Sequence, residues 1–407
     1  MELFSFIWEY VLPFVLVLSV LIFIHEMGHF LVARWAGVKV EVFSIGFGGE
    51  LYGFNDRHGT RWRVSAVPLG GYVKMFGEGD IITGVDDTED RPMTNEEKKI
   101  SFHHKPLSKR TAIVAAGPAA NFLFAIVLFA FMSSVLGLPK PYAVIGEVMD
   151  DSAAEESGFE IGDEITAVND KSIQWFEELS QIVAVNANKS LVFSVNRGGK
   201  AISINATPRT VSMKEFGEKL GIEEEESDEK DNRERSGENS QQKMDATDGE
   251  HSSRGLLGVR PHPDFVEQIR KDPLTSIWIG VKQTYLISSR ILGVVGEMLS
   301  GERSSKELGG VISIAQYSGE AVQNGAITIL TFMAALSVNL GLINLFPVPM
   351  LDGGHLVYYI FEALRGRPLS QRIQEYGFRF GMILVFMLMI FATWNDFERI
   401  LKQFGMS

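Results

Sequence analysis

The sequence predicts a multi-pass α-helical membrane protein with four transmembrane helices, a membrane-associated β-hairpin and an α+β domain outside the membrane. Three observations carry this expectation. Apolar runs of membrane-spanning length recur four times along the 407 residues. A glycine-rich stretch of alternating apolar and polar residues follows the first run. Residues 139–272 are polar enough to form a water-exposed domain between the second and third runs.

Composition narrows the function classes. Hydrophobic residues make up 45% of the chain, yet mean hydropathy is only +0.08, so very apolar and very polar segments coexist. There is no cysteine, which excludes a disulfide framework and leaves His, Asp and Glu as the ligands for any metal. A net charge of −13 argues against nucleic acid as a partner. The first apolar run lacks a basic leader and a small-residue cleavage site, and so does not read as a cleavable signal peptide.

The first span is read over Tyr10–Ala33, within a segment 1–36. Glu2 and Glu9 precede it, while Arg34, Lys39 and further basic residues follow, which places the N-terminus outside and residues 37–108 in the cytoplasm. In that loop Val38–Phe47 and Arg61–Phe76 read as strands of a hairpin, with glycines allowing tight bends. Residues 78–100 read as an acidic surface loop. The second span, Thr111–Leu138 in segment 109–138, carries no charge but contains Gly117-Pro118-Ala119-Ala120-Asn121. Its small residues suit close helix packing, and the role of Asn121 stays open.

Within segment 139–262, strands are expected near Tyr142–Met149, Ser190–Asn196 and Ala201–Pro208, and helices near 152–158 and Trp175–Val185. Residues 212–254 interrupt the unit with fourteen acidic and seven basic residues and read as a disordered insertion. The plain reading is a passive loop extension; the alternative is an acidic tether that screens the peptide groove against acidic peptides. Segment 263–325 contains an apolar run, Leu274–Leu299, that also carries Lys282, Arg290 and Glu297. It reads as an amphipathic helix lying at the membrane interface rather than as a fifth span. The third span, Ala326–Phe346 in segment 326–352, ends at Pro347 and Pro349, neither of which has an N–H to continue a helix. A cytoplasmic helix and loop (353–376) and a fourth span (377–397) complete the reading.

The chemistry is concentrated in Phe23-Ile24-His25-Glu26-Met27-Gly28-His29. On a helix His25 and His29 share a face and can reach one metal ion, with Glu26 beside them as the base toward water held on it. Ionisable groups in an apolar span are costly and mark a functional site. A catalytic zinc takes three protein ligands. The other histidines are His58, His103, His104, His251, His262 and His355, most of them in polar segments. Asp352 fits better than these as the third ligand: with four spans it falls at the cytoplasmic end of span three, on the side toward which His25 is displaced, whereas a fifth span would put it across the membrane. Asn344, Pro347 and Pro349, with the glycine-rich hairpin, are expected to offer partners to the backbone of an unwound substrate helix.

These motifs together resemble the site-2 proteases: His-Glu-x-x-His in span one, Gly-Pro-x-x-Asn in span two, and Asn344-x-x-Pro347-x-Pro349-x-Leu351-Asp352-Gly353-Gly354 after span three. The run from Gly158 to Asn169 resembles a bacterial PDZ domain, with Gly255, Leu256, Leu257 and Gly258 as its peptide-binding loop. The resemblance implies a zinc-dependent intramembrane metalloprotease of a bacterial inner membrane, with its PDZ domain in the periplasm acting as a size filter. It further implies substrates that are single-span membrane proteins of the anti-sigma-factor type, with remnant signal peptides as a further class, cleaved during regulated intramembrane proteolysis in a stress response. Two rival readings are a non-catalytic PDZ membrane scaffold and a metal transporter. Intact Glu26 speaks against the first, and the scarcity of charged residues in spans two and four against the second.

Overall fold

A computed structural model describes residues 7–77, 93–211 and 254–403; the acidic insertion, apart from Arg254, lies outside them. The chain divides into two compact units. One combines 1–135 with 271–407, and the other is 136–270.

The first unit holds four helices long and apolar enough to cross a membrane, at Ile7–Trp35, Leu107–Leu136, Ala326–Asn344 and Arg372–Lys402. Its helices are α1 (Leu12–Trp35), α2 (Asn95–Ile100) and α3 (Leu107–Phe131, extended by a wider turn over Met132–Leu136). After the inserted unit come α6 (Pro273–Ser300), α7 (Val311–Gln323), α8 (Ala326–Asn344), α9 (Asp352–Arg365) and α10 (Gln371–Gln403). Helix α3 is the hub, packing against α1, α6, α8 and α9. Glycine makes the close approaches possible: a Cβ on Gly28 of α1 would lie 2.2 Å from the Ala116 carbonyl of α3, a distance no side chain tolerates.

Helix α6 is not among the four candidate spans, but it does not stand apart from them. Ser276 meets Ser133, and a Cβ on Gly280 would lie 2.5 Å from the Ile126 carbonyl. Its first turns therefore run alongside α3, which reading the segment by itself does not reveal. Asp272 caps the helix by accepting the Thr275 N–H at 3.0 Å. At the far end of the chain, buried Asp396 of α10 accepts the N–H groups of Gly310 (2.9 Å), Ile312 (3.0 Å) and Ser313 (3.1 Å). That carboxylate caps α7, and α7 in turn packs against α1.

Strand β1 (Val40–Asn55) is longer than expected, and β1 and β2 (Arg61–Met75) fold back on themselves. Val40–Ile45 pairs in reverse with Gly71–Met75, while Val42–Ile45 also faces Arg61–Val64 on its other edge. Glu50–Asn55 pairs in reverse with Arg61–Ser65. The hairpin is thus doubled into a small sheet, turned at Gly46 and Gly48, whose φ values of 90° and 86° suit glycine. Aromatic packing fixes this sheet to α1. Phe43 stacks on Trp62 at 4.4 Å and meets Phe30 edge-on at 5.7 Å and Phe23 at 5.8 Å. Phe23 and Phe30 bracket the His-Glu-x-x-His motif, and each aromatic pair adds about 0.5–1.5 kcal/mol beyond the area it buries.

The second unit, 136–270, is an α+β fold. Its strands are β3 (Leu138–Pro141), β4 (Ile145–Val148), β5 (Glu164–Val168), β6 (Lys171–Ser172), β7 (Leu191–Arg197), β8 (Lys200–Ala206), β9 (Arg209–Val211), β10 (Arg254–Leu256), β11 (Val259–Pro261) and β12 (Val266–Ile269). A four-stranded sheet runs β6-β5-β7-β8, and β3 pairs with β12, β4 with β11 and β9 with β10. The helices are α4 (Ala153–Glu156) and α5 (Phe176–Ala184). Alternation along β7 buries Leu191, Phe193 and Val195 against Ile145, Phe159, Ile165, Leu179 and Leu257. An Asn-Asp turn closes β5–β6, with Asn169 and Asp170 at φ 48° and 63°.

Candidate metal centre

The motif helix α1 is apolar for most of its length, so His25, Glu26 and His29 are buried among the spans rather than turned to water. Asp352 reaches them from the first turn of α9. That helix can start there because Gly353 and Gly354 lie flat on the preceding loop: a Cβ on either would fall 2.3 Å from a carbonyl oxygen, of Leu345 or Phe346 for Gly353 and of Val348 for Gly354. An ion pair between Arg110 of α3 and Glu362 holds the other end of α9.

The three side chains aim one atom each at a common point. His25 Nε2 and His29 Nε2 are 3.2 Å apart, and Asp352 Oδ2 lies 3.2 Å from the first and 3.5 Å from the second. Ligand atoms at about 2.0–2.1 Å from a tetrahedral zinc lie about 3.3–3.4 Å from one another. The triangle therefore already has the edge lengths that zinc requires. Asp352 Oδ2 is shut off from solvent without a directed hydrogen bond, a cost that a metal would relieve. His25, His29 and Asp352 are also the set of three residues, among those described, that could hold a metal ion. The donor set of two imidazoles and a carboxylate suits zinc.

The surroundings fix the rings. His29 Nδ1 donates to the Ile113 carbonyl at 2.9 Å, which leaves the Nε2 lone pair directed at the cluster. Gly117 makes room for both rings, since a Cβ there would lie 2.2 Å from His29 Nε2 and 2.8 Å from His25 Cε1. Glu26 is near enough to both histidines and to Asp352 to interact with their charges. Above it lies the glycine-rich sheet: a Cβ on Gly71 would meet Ile22 at 2.7 Å and Glu26 Cγ at 3.1 Å. Gly117, Gly71 and the Ile113 carbonyl were not legible as site residues. The nearest signals were the Gly-Pro-x-x-Asn motif, whose four-residue step puts Gly117 and Asn121 on one helix face, and the glycine-rich hairpin that contains Gly71.

The remaining expected site residues are placed as follows. Asn344 is the last residue of α8. Pro347 and Pro349 each sit at the centre of a three-residue turn, closed by Val348 N–H to Phe346 O and by Met350 N–H to Val348 O, both 2.7 Å. Leu345, Phe346 and Leu351 also donate locally. The loop therefore keeps its N–H donors for itself, and what it can offer a ligand is carbonyl oxygens and the Asn344 amide. Gly255, Leu257 and Gly258 are buried within their own unit, with Leu257 in the core. The Leu257 and Gly258 carbonyls are taken by the N–H groups of Ala154 and Met149. The cavity beside this loop, lined by Asp151, Ser152 and Leu256 among others, is about 20 Å³, room for about one water. His355 stands one turn beyond Asp352 on α9, and His251 lies outside the described residues.

A multi-span membrane protein with a buried His-His-Asp centre and an adjacent glutamate is the class that this architecture defines. Comparison with known proteins makes it specific. Residues 13–388 match the model of peptidase family M50. A protein of Agrobacterium fabrum provisionally described as a zinc metalloprotease is 38% identical over 98% of both chains. A Rhizobium meliloti protein with the same description is 39% identical over 95% of this chain and 96% of its own. The metalloprotease MmpA of Caulobacter vibrioides is 33% identical over 94% of each. The chain belongs to peptidase family M50, the site-2 protease family, and is a zinc metalloprotease.

Proposed function

We propose that the chain cleaves peptide bonds within the membrane, with His25, His29 and Asp352 as the zinc ligands and Glu26 as the general base. The observation that carries this reading is the near-tetrahedral triangle of donor atoms beside Glu26, buried among spans. When bound, zinc supplies Lewis acidity, which polarises a peptide carbonyl and makes water easier to deprotonate. Glu26 takes the proton from the attacking water and later delivers it to the leaving nitrogen. Burial of all three helix residues keeps bulk water from competing for the site.

A helical substrate hides its amides in its own hydrogen bonds, so it must unwind to react. The sheet edge near Gly71 supplies backbone donors and acceptors next to Glu26, while Asn344 and the carbonyls around Pro347 and Pro349 supply the opposite side. Substrates of this kind are single-span membrane proteins, of the anti-sigma-factor type or remnant signal peptides, in a bacterial inner membrane. In this reading residues 139–262 form a periplasmic PDZ-type domain that excludes bulky substrates, and the metal site faces the cytoplasmic side. The buried state of Gly255, Leu257 and Gly258 favours exclusion over peptide capture by that loop.

The test is cleavage of a model single-span substrate in detergent or proteoliposomes, together with metal analysis. Wild type should cleave and hold one zinc, and Glu26→Gln should hold zinc without cleaving. Equal cleavage by both proteins would end this assignment.

A further inference from the structure

We infer that Asn121 of α3 is a positioning residue for His25, holding its ring through an amide that turns over when the metal binds. This inference rests on the zinc assignment above and concerns a residue that assignment does not use.

Asn121 is completely buried. Its Nδ2 donates to His25 Nδ1 at 3.1 Å, while its Oδ1 has no hydrogen-bond partner. Without metal this arrangement is consistent: His25 carries its proton on Nε2, 3.2 Å from Asp352 Oδ2. It cannot persist once Nε2 gives its lone pair to a metal. A neutral imidazole then carries its hydrogen on Nδ1, and an N–H would face an NH₂ group. A half-turn about the last side-chain bond exchanges the two ends of the amide, which have nearly the same shape. The Oδ1 atom then accepts the Nδ1 hydrogen. The Ile113 carbonyl, 2.9 Å from His29 Nδ1, already does this for the second ligand. Each histidine thus gains an acceptor from α3 behind it, one from the main chain and one from a side chain.

The surroundings hold Asn121 in place for this role. Its main-chain carbonyl accepts from Ser337 Oγ of α8 at 2.8 Å. A Cβ on Gly341 would lie 3.3 Å from its own Cβ, so α8 packs directly against it. An amide also answers both states of the site, since it can donate to the metal-free ring and accept from the loaded one. A carboxylate could only accept, and would add a buried charge.

The experiment is a zinc titration of the purified full-length chain against a chromophoric chelator, with wild type, Asn121→Ala and Asn121→Asp, alongside the visible spectrum of the cobalt-loaded proteins. Thermal melting of the metal-free proteins reports folding. Asn121→Ala is expected to weaken zinc binding about 10–100-fold, the usual effect of losing a partner behind a metal ligand, and to alter the cobalt spectrum. Asn121→Asp, which keeps an acceptor, should stay within about threefold of wild type or bind more tightly. Should Asn121→Asp fail to fold, wild type against Asn121→Ala decides. Zinc binding by Asn121→Ala within about threefold of wild type, or equal losses in both variants, would overturn the role. So would an effect confined to substrate KM. Wild type that binds no zinc would remove the metal assignment itself, and this inference with it.

Discussion

Asp163 and Asp352 are both carboxylates largely withdrawn from water, and their surroundings treat them in opposite ways. In the 136–270 unit, Asp163 is fully buried and both its oxygens are used. Arg197 donates to each at 2.7 Å, and the Glu160 N–H adds a bond of 3.0 Å. The hydrogen bond with Asp163 is the main reason that the Arg197 guanidinium is held above its ordinary pKa. In the membrane unit, Asp352 Oδ2 lies between two histidines without a directed hydrogen bond. Asn121 Oδ1, nearby, is also unpartnered. A satisfied buried charge stabilises a fold, whereas an unsatisfied one in a close-packed interior is the mark of a place kept for something else. The difference separates a polar network that serves structure from one that serves chemistry.

Substitutions can break or sharpen this contrast. The largest expected effect is on rate: Glu26→Gln should lower kcat by about 10²–10⁴-fold while zinc content and melting of the metal-free protein stay at wild-type values. A parallel loss of zinc would mean that Glu26 holds the site together rather than moving protons. Next, Asp352→Ala should weaken zinc binding by more than about 100-fold, beyond the loss caused by an outer partner. Its cost to the metal-free melting temperature should be smaller, since only the contacts of Oδ2 with His25 Nε2 (3.2 Å) and His29 Nε2 (3.5 Å) are lost.

Arg197→Leu is the opposite case. It should destabilise the 136–270 unit by about 2–3 kcal/mol, at or below the lower end for a broken buried pair because the Arg197 side chain is 31% exposed. Denaturant unfolding should show this with no change in zinc affinity. The smallest effect concerns the α6 cap. Hydrogen bonds from Thr275, its side chain foremost, hold the Asp272 carboxyl below its ordinary pKa. A lowered folded-state pKa gives stability that is present above the unfolded value and fades as pH falls through the folded one. Amide exchange at Thr275 and Ser276 should therefore be slow at neutral pH and, after correction for intrinsic rates, less protected near pH 3. Asp272→Ala should remove that pH dependence.

What could be read in the sequence was whatever is written locally. His25, Glu26 and His29 declare themselves through helical spacing within an apolar run, and the four spans through length and hydropathy. The helix at Phe176–Ala184 and the strands at Leu191–Arg197 and Lys200–Ala206 fall within a residue or two of expectation. What escaped depends on distant partners. The doubling of β1 and β2 is a matter of long-range register, which alternation alone cannot specify. An isolated Asn121 in an apolar run does not say which ring it will face. The capping of α7 by Asp396 depends on a loop more than eighty residues away, although two polar residues, Asn395 and Asp396, at the end of an apolar helix are themselves a signal. The run of α6 along α3 depends on Gly280 meeting Ile126, a fit between two surfaces that neither segment carries by itself.

The donor triangle also has a consequence for how the protein is made. Two of its corners lie in the first helix, and the third follows the third span, near the end of the chain. While the early spans are entering the membrane, the emerging polypeptide has His25, Glu26 and His29 but not Asp352. Hydrolytic competence on the proposed assignment arrives only when α8 and α9 have packed against α3. On that assignment, membrane proteins crowded around the insertion machinery meet a precursor that cannot yet complete its metal site.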